Sequence, residues 1–339
     1  MTSHRSILTD LSKKVEPILE KLEQSRVSFL IEYRWRRSKA LIFGTVAFII
    51  VTIIALLSTT VMHWVEEVWG VALVIAFMAW RWVDGPVKEY NKAYKNDIIP
   101  HILKVIGNFN YSVGGKSQVE LKVFGHSLMS AGRDIGILSS KKFLIEESGI
   151  IPNGNWGVED TITGNHKGVD TTFSELIIER GSGKNSKIVF RGAIILLSFP
   201  KLFESDIHIG QDYGFANKLT SMGKKGKKRV NLVDPKFEDR YETYGSDQTM
   251  ARYIVNPSFM EEFMALDDLF RKHAKGKGIE ASFYDNNVLV KLGYSKNLLE
   301  APNIHKHAVS MEEIELLYSE INIILGIIDA LSLEKFATK

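Results

Sequence analysis

From Ala40 to Met62 the chain carries about 23 consecutive uncharged, mostly apolar residues, ALIFGTVAFIIVTIIALLSTTVM. A bilayer core takes roughly 20 such residues in a helix to cross. A helix apolar on every face has no side to turn toward water, so it must be buried in protein or lipid. A signal peptide would be shorter, nearer the N-terminus and followed by a small-residue cleavage site. Here about 39 residues, many of them polar, come first. A second, weaker run, Val68 to Trp80, reaches spanning length only when counted from Trp64 to Val83. Glu66 and Glu67 lie at one end and Arg81 at the other. Arg81 can snorkel, and Trp64, Trp69, Trp80 and Trp82 suit the two interfaces. A re-entrant segment is the alternative. Arg34, Arg36, Arg37 and Lys39 precede the first run, and Arg81, Lys88, Lys92 and Lys95 accompany or follow the second. The loop from His63 to Glu67 has no Lys or Arg. By the positive-inside rule the expectation is a two-span hairpin with both termini in the cytoplasm.

The pattern divides the chain into an amphipathic helical arm (1–38), a transmembrane hairpin (39–83, spans about 40–62 and 64–83), a stalk helix (84–116) and a cytosolic domain (117–339). In the arm, Ile7, Leu11, Val15, Ile18 and Leu22 recur every three or four residues. That stripe needs a cover, either the arm of another copy or the chain's own domain. Asp84-Gly85-Pro86 reads as a helix start, and Pro100 as a kink further on. From Ser117 to about Val233 the pattern is β-rich. Gln118 to Phe124 alternates, and the runs Gly168–Arg180 and Ser186–Phe199 flank Gly181-Ser182-Gly183 as a hairpin. Gly154, Gly157 and Gly164 read as tight turns. Asn256-Pro257 opens a helix lined by Phe259, Phe263, Leu266 and Phe270 and stopped by Gly276. Asp285-Asn286-Asn287 marks a second hairpin. Ser310 with Glu313 makes a capping box, and Val309 with Ile314 a hydrophobic staple. The helix they open carries Ile314, Leu317, Ile321, Ile324, Ile328 and Leu331, a stripe that fits packing on the chain's own core better than a coiled coil. The fold class expected is α+β: a mainly antiparallel β domain with packing helices behind an arm and hairpin.

No complete catalytic motif is present. Gly115-Lys116-Ser117 resembles the end of a phosphate loop, but position 110 is Asn and a strand follows. Gly125-His126-Ser127 resembles a nucleophile elbow, but Met129 stands where glycine is needed. His305 and His307 could share a strand face, without a third ligand at diagnostic spacing. Glu159, Asp160, Asp170 and Glu175 form a candidate acidic cluster for acid/base work or a divalent ion. The basic run Lys224, Lys225, Lys227, Lys228 and Arg229 supplies more than the whole net charge of +3. With Arg34, Arg36, Arg37 and Lys39 it is a candidate lipid-proximal group. It lacks interleaved aromatics, so nucleic acid is not an expected partner. The chain has no cysteine, which excludes disulfides and thiolate metal sites. No metal or cofactor is expected.

Residues 232–265, LVDPKFEDRYETYGSDQTMARYIVNPSFMEEFMA, are the most specific stretch. With the two runs, Tyr94-Lys95, Glu159-Asp160 leading to Gly164, and Phe173-Ser174-Glu175, the chain resembles an uncharacterised bacterial family. Its members are two-span inner-membrane proteins with a cytosolic domain of unknown function, sometimes encoded beside LemA-type proteins. The resemblance covers the chain from about residue 33 onward and implies a bacterial inner-membrane, multi-pass placement and a possible envelope protein partner. It transfers no catalytic residues. Asp234, Phe237, Tyr244, Asp247, Gln248, Arg252 and Tyr253 are the candidate site within this stretch, with a buried Asp247–Arg252 pair as the leading account and a ligand pocket as its rival.

The function expected is a membrane-anchored binding or scaffold module, a homo-oligomer engaging lipids or a protein partner. The alternatives are an oligomeric pore gated by the cytosolic domain, and a membrane-associated enzyme using the acidic cluster.

Overall fold

The computed structural model describes residues 2–57, 65–113, 122–123, 126–127, 141–200, 202–212, 226–273, 275–295, 299–305, 315, 318–319, 321–322, 325 and 328–329. The chain forms two compact units, Met1–His101 with Glu300–Ile314, and Ile102–Leu299 with Glu315–Lys339.

The first unit is helical. Helix α1 (Thr2–Leu57) joins the arm and the first apolar run without a break. Helix α2 (Val65–Val83) is followed through Asp84 by α3 (Gly85–Ile106), which starts where the Asp-Gly-Pro signal places it. The Asp84 carbonyl accepts from Lys88 N at 3.2 Å, the first bond of α3. Leu22, Arg26 and Leu30, four residues apart on α1, are buried, as are Tyr90, Tyr94 and Ile98 on α3. Arg26 donates to Glu23 and, at 2.6 Å, to the carbonyl of Ile304. Tyr33 meets His305 edge-on at 5.3 Å, and Lys95 pairs with Glu300 at 3.2 Å. The part of the arm stripe that is described is therefore covered by the chain itself.

Helices α1 and α2 meet where Trp35 packs edge-on against Trp82 and Arg36 donates to the Trp82 carbonyl at 2.8 Å. Beyond that contact both leave large apolar side chains in the open. From Leu41 to Ile53 these are 48–68% exposed, and from Leu73 to Trp80 they are 54–69% exposed.

The expected transmembrane hairpin is corrected. Among the described residues, no helix is long and apolar enough to cross a membrane. The described apolar side chains of α1 run from Ala40 to Ile53, about 21 Å at 1.5 Å per residue, against roughly 30 Å for a bilayer core. Helix α2 has 19 residues but includes Glu66, Glu67 and Arg81. The multi-pass inner-membrane placement, the cytoplasmic assignment of both termini and the gated pore all rested on those spans and fall with them.

The second unit is α+β. Its strands are β1 (Phe109–Val113), β2 (Lys122–Val123), β3 (His126–Ser127), β4 (Asn155–His166), β5 (Val169–Arg180), β6 (Lys187–Ser198), β7 (Ile207–Gln211), β8 (Lys228–Val230), β9 (Tyr241–Gly245), β10 (Gly278–Tyr284) and β11 (Asn287–Gly293). Nine form one antiparallel sheet in the order β1-β4-β5-β6-β11-β10-β7-β9-β8, and β2 pairs with β3. Helices α4 (Lys141–Ser148), α5 (Pro235–Glu238), α6 (Gln248–Ile254) and α7 (Pro257–His273) accompany the sheet.

Both expected hairpins form. β5 and β6 flank Gly181–Gly183, and β10 and β11 flank Asp285-Asn286, with Asp285 at φ 49°. The β4–β5 hairpin turns at Lys167-Gly168, both at positive φ, as a two-residue turn between right-twisted strands requires. Gly157 and Gly164, expected as turns, lie inside β4. Gly164 sits under the ring of Phe109: a Cβ there would stand 2.3 Å from Phe109 Cδ1.

One sheet face carries Leu176, Ile178, Phe190, Ile194, Leu196 and Leu289 in a core shared with Leu144 of α4 and with Ile150 and Ile151. On the other face, rings from α7 close over β9 and β10. Phe263 lies 5.2 Å from Tyr241, and Phe259 lies 5.7 Å from Phe283. Tyr318, Ile321, Leu325 and Ile328 in residues 315–329 are buried. Ser310, Glu313 and Val309, the expected start of that helix, lie outside the described residues, as do most of Gln118–Phe124.

Candidate functional site

The segment singled out by the sequence folds at the outer end of the sheet. It makes α5, β9, α6 and the start of α7, and α6 packs against β8 and β9. Its two candidate aspartates, Asp234 and Asp247, are helix N-caps. Asp234 accepts from Lys236 N and Phe237 N at the start of α5, and Asp247 accepts from Thr249 N (2.8 Å) and Met250 N (2.9 Å) at the start of α6. The expected buried Asp247–Arg252 pair is therefore replaced by a cap. Arg252 is exposed and directs its Nε to the Asn231 carbonyl at 3.1 Å, with a second bond to Gln248 Oε1 at 3.3 Å. Gln248 Nε2 donates to the Arg229 carbonyl at 3.1 Å.

Those last contacts fall on the sheet edge. Among the described residues β8 is the outermost strand, bonded to β9 alone. In an antiparallel ladder a residue's N–H and C=O point the same way, and alternate residues point to opposite sides. Arg229 and Asn231 share a parity, so both face away from β9. The side chains of Gln248 and Arg252 thus cap the outward carbonyls of the edge strand.

A polar row crosses the same end of the sheet. Ser282 on β10, His208 on β7, Tyr244 on β9 and Arg229 on β8 stand opposite one another in register and share a face. Tyr244 donates its hydroxyl to Glu242 at 2.9 Å, and Arg229 approaches the same carboxylate at 3.6 Å. His208, Glu242 and Ser282 are buried, and among the described residues the Ser282 hydroxyl has no hydrogen-bond partner. On β11 and β10 Lys291 pairs with Glu280 at 2.8 Å and donates to the Ile150 carbonyl.

On the opposite face Phe237 is fully buried against Tyr241, 4.8 Å between centroids. The Tyr241 hydroxyl donates to Asp267 at 2.6 Å, and Arg271 Nε donates to the same oxygen at 2.9 Å. Asp267 is 2% exposed, so these charge-assisted bonds hold it in place. Burial, and then the Asp267 carboxylate, push the Tyr241 phenol well above its ordinary value. Tyr253 is 52% exposed.

The acidic group does not form one site. Asp160 and Glu175 are buried and stand opposite each other across β4 and β5. The Tyr111 hydroxyl donates to Asp160. Glu159 occupies the bulge where the register shifts between Val158 and Asp160. Asp170 lies at the far end of the hairpin and accepts from Asn165 Nδ2 at 2.7 Å. Among the described residues no group of three or more His, Cys, Asp or Glu could hold a metal ion. Of the basic candidates, Arg34, Arg36, Arg37 and Lys39 lie on α1, with Arg36 bonded to Glu32 and Trp82. Lys228 and Arg229 lie on β8, Lys227 precedes it, and Lys224 and Lys225 lie outside the described residues. Burial lowers the Lys227 ammonium pKa, with Asp206 opposing the shift. His305 is exposed against Tyr33, and His307 lies outside the described residues.

His208, Glu242, Ser282 and Asp267 were not singled out from the sequence. The alternation Ile207-His208-Ile209 and the run Tyr241–Gly245 carried the signal for two strands, but only their pairing aligns the polar side chains.

A domain described as Protein of unknown function (DUF3137) covers residues 188–333. It contains β6 to β11, the capped edge and the polar row. This agrees with an uncharacterised family and says nothing of two spans or gene neighbours. No curated protein matches the chain. Among solved structures it is similar to the mycobacterial trehalose monomycolate transport factor A, TtfA, at 10% identity over 50% of this chain and 76% of that one, with a TM-score of 0.27. At that score the likeness carries no functional argument.

Proposed function

We propose that this protein is a binding or scaffold module that self-associates through the apolar parts of α1 and α2. One observation supports this reading above others: the large side chains from Leu41 to Ile53 and from Leu73 to Trp80 are about half or more exposed on successive positions, hence on every side of each helix. Helices hydrophobic all round are buried in a larger assembly, and contiguous exposed apolar surface marks an interaction site. A second copy is the occupant that fits. The surface continues directly from the Trp35–Trp82 contact between the same two helices, and self-complementary apolar faces close in symmetric oligomers. Gly44 has open space around its Cα, which leaves room for a close helix approach.

The absence of native cysteine makes the test clean. Single replacements Ile49→Cys and Phe77→Cys should each yield dimers or higher species with a bismaleimide, and light scattering should give a mass above one chain. A protein that is monomeric by mass and gives no cross-links overturns the reading. So does a monomer that co-sediments with phosphatidylcholine vesicles, which would assign the surface to lipid.

A further inference from the structure

The outer edge of the sheet lies in the second unit, so its use does not depend on association of the helices. Three observations meet there. The edge strand β8 and the residue after it offer the outward carbonyls of Arg229 and Asn231, and among the described residues these are held by side chains of α6 and not by another strand. The edge is basic: Lys228 and Arg229 are exposed, Lys227 precedes them, and Arg252 lies across it. Two large apolar side chains stand open beside it, Val233 (77% exposed) just past β8 and Tyr253 (52% exposed) next to Arg252 on α6.

We propose that β8 is a docking edge for an extended acidic polypeptide segment, guarded at rest by Gln248 and Arg252. An open strand edge is a template for another strand, and proteins protect such edges with charge, short length or a covering element. Here the cover is two side-chain hydrogen bonds, which an incoming backbone can replace one for one. Strand addition supplies main-chain hydrogen bonds for affinity, and alternate side chains supply specificity. An incoming strand donates its N–H groups to Arg229 O and Asn231 O. Its acidic residues share the face of Arg229, its apolar residues meet Val233 and Tyr253, and the displaced Arg252 guanidinium turns to a carboxylate. The same charges argue against pairing of two β8 edges from two copies, since like charges opposite one another across strands are destabilising.

The test is a fluorescence anisotropy titration of the full chain with a labelled seven-residue peptide of alternating Glu and Val. Saturable binding that weakens with salt is expected. The same peptide with its edge-facing amides N-methylated should fail to bind, and a Lys-Val peptide should bind more weakly. Gln248→Ala frees the Arg229 carbonyl without changing charge, and it should tighten binding about threefold to tenfold, the worth of one hydrogen bond no longer in competition. Circular dichroism checks that this variant keeps its fold, and the N-methylated comparison on the unaltered protein stands without it. No saturable binding overturns the proposal. So does equal binding of the N-methylated peptide, which would leave only charge attraction, or dimerisation of Gln248→Ala through β8.

Discussion

At the scale of single residues, the segment 232–265 is occupied mainly with local geometry. Asp247 holds two N–H groups at the start of α6. Asp247→Ala should cost about 1 kcal/mol, the usual worth of a lost cap, read as a lower midpoint in urea with an unchanged slope. The sequence reading paired Asp247 with Arg252, and the structure gives it the N–H groups of Thr249 and Met250 instead. A residue five positions on lies about 140° round a helix at 3.6 residues per turn, so Arg252 faces the β8 edge and not its cap. Gly192 is a second fixed point. It stands beside β11 at φ 156°, and an added Cβ would lie 1.9 Å from the Leu292 carbonyl oxygen. The obstacle is backbone in the middle of a sheet, so Gly192→Ala should destabilise by roughly 2–4 kcal/mol, and thermal melts check it. Tyr241→Phe removes one donor to the buried Asp267 carboxylate and leaves that of Arg271. About 1–3 kcal/mol should be lost, and Asp267→Asn in the same background should recover part of it.

At the scale of elements, the last described helical turns are tied to the β4–β5 hairpin. His166 Nε2 and Lys167 Nζ each lie 3.0 Å from Asp329 Oδ1. Glu262 on α7 completes the charge group. Burial raises its pKa first, and the neighbouring carboxylates Glu261 and Asp329 raise it further. A carboxyl with a raised folded-state pKa binds its proton more tightly folded than unfolded. Stability therefore falls as pH rises from the unfolded value through the folded one, and the loss stays in place above it. Glu262→Gln should raise the melting temperature at pH 7, and the gain should shrink toward zero as pH falls below the ordinary carboxylate range. A gain that is constant with pH would show that the charge is not the cause. The hairpins were legible because β-branched runs and their turn residues are neighbours in the chain. Strand β9 was not, since its five residues are buried on both faces and carry little alternation, and β8 is shorter still.

At the scale of the whole molecule, the DUF3137 match begins at Ile188, inside the sheet. β6 is bonded to β5 on one side and β11 on the other. A fragment of residues 188–333 would bare the β5 side of β6 along a strand whose inner residues are almost all buried. Exposed, long, apolar edges aggregate. That fragment should be insoluble or associate without limit in sedimentation, while residues 102–339 should stay dispersed with the β-rich circular dichroism of the full chain. Equal solubility of the two would mean that the matched stretch folds as its own domain.

The sequence by itself determined what depends on neighbours along the chain. That includes the α+β class, the helix starts at Asp84 and Asn256, the two glycine- and asparagine-bounded hairpins, and the apolar character of residues 40–62. Caps, turns and periodicity act over a few residues and can be read without a fold. Tertiary structure alone decided the rest. It placed Ser282, His208, Tyr244 and Arg229 in one row from four strands far apart in the chain. It put Gln248 and Arg252 on the open edge of β8. It set Asp160 and Glu175 opposite each other and Asp170 at the far end of the same hairpin, so the four carboxylates do not form one site. It also removed the two-span reading, since a hydrophobic run states only a need for burial, and helix length and end charges decide whether a bilayer can meet it. The placements in the sheet rest on strand order and register, set by long-range pairing that no local pattern encodes.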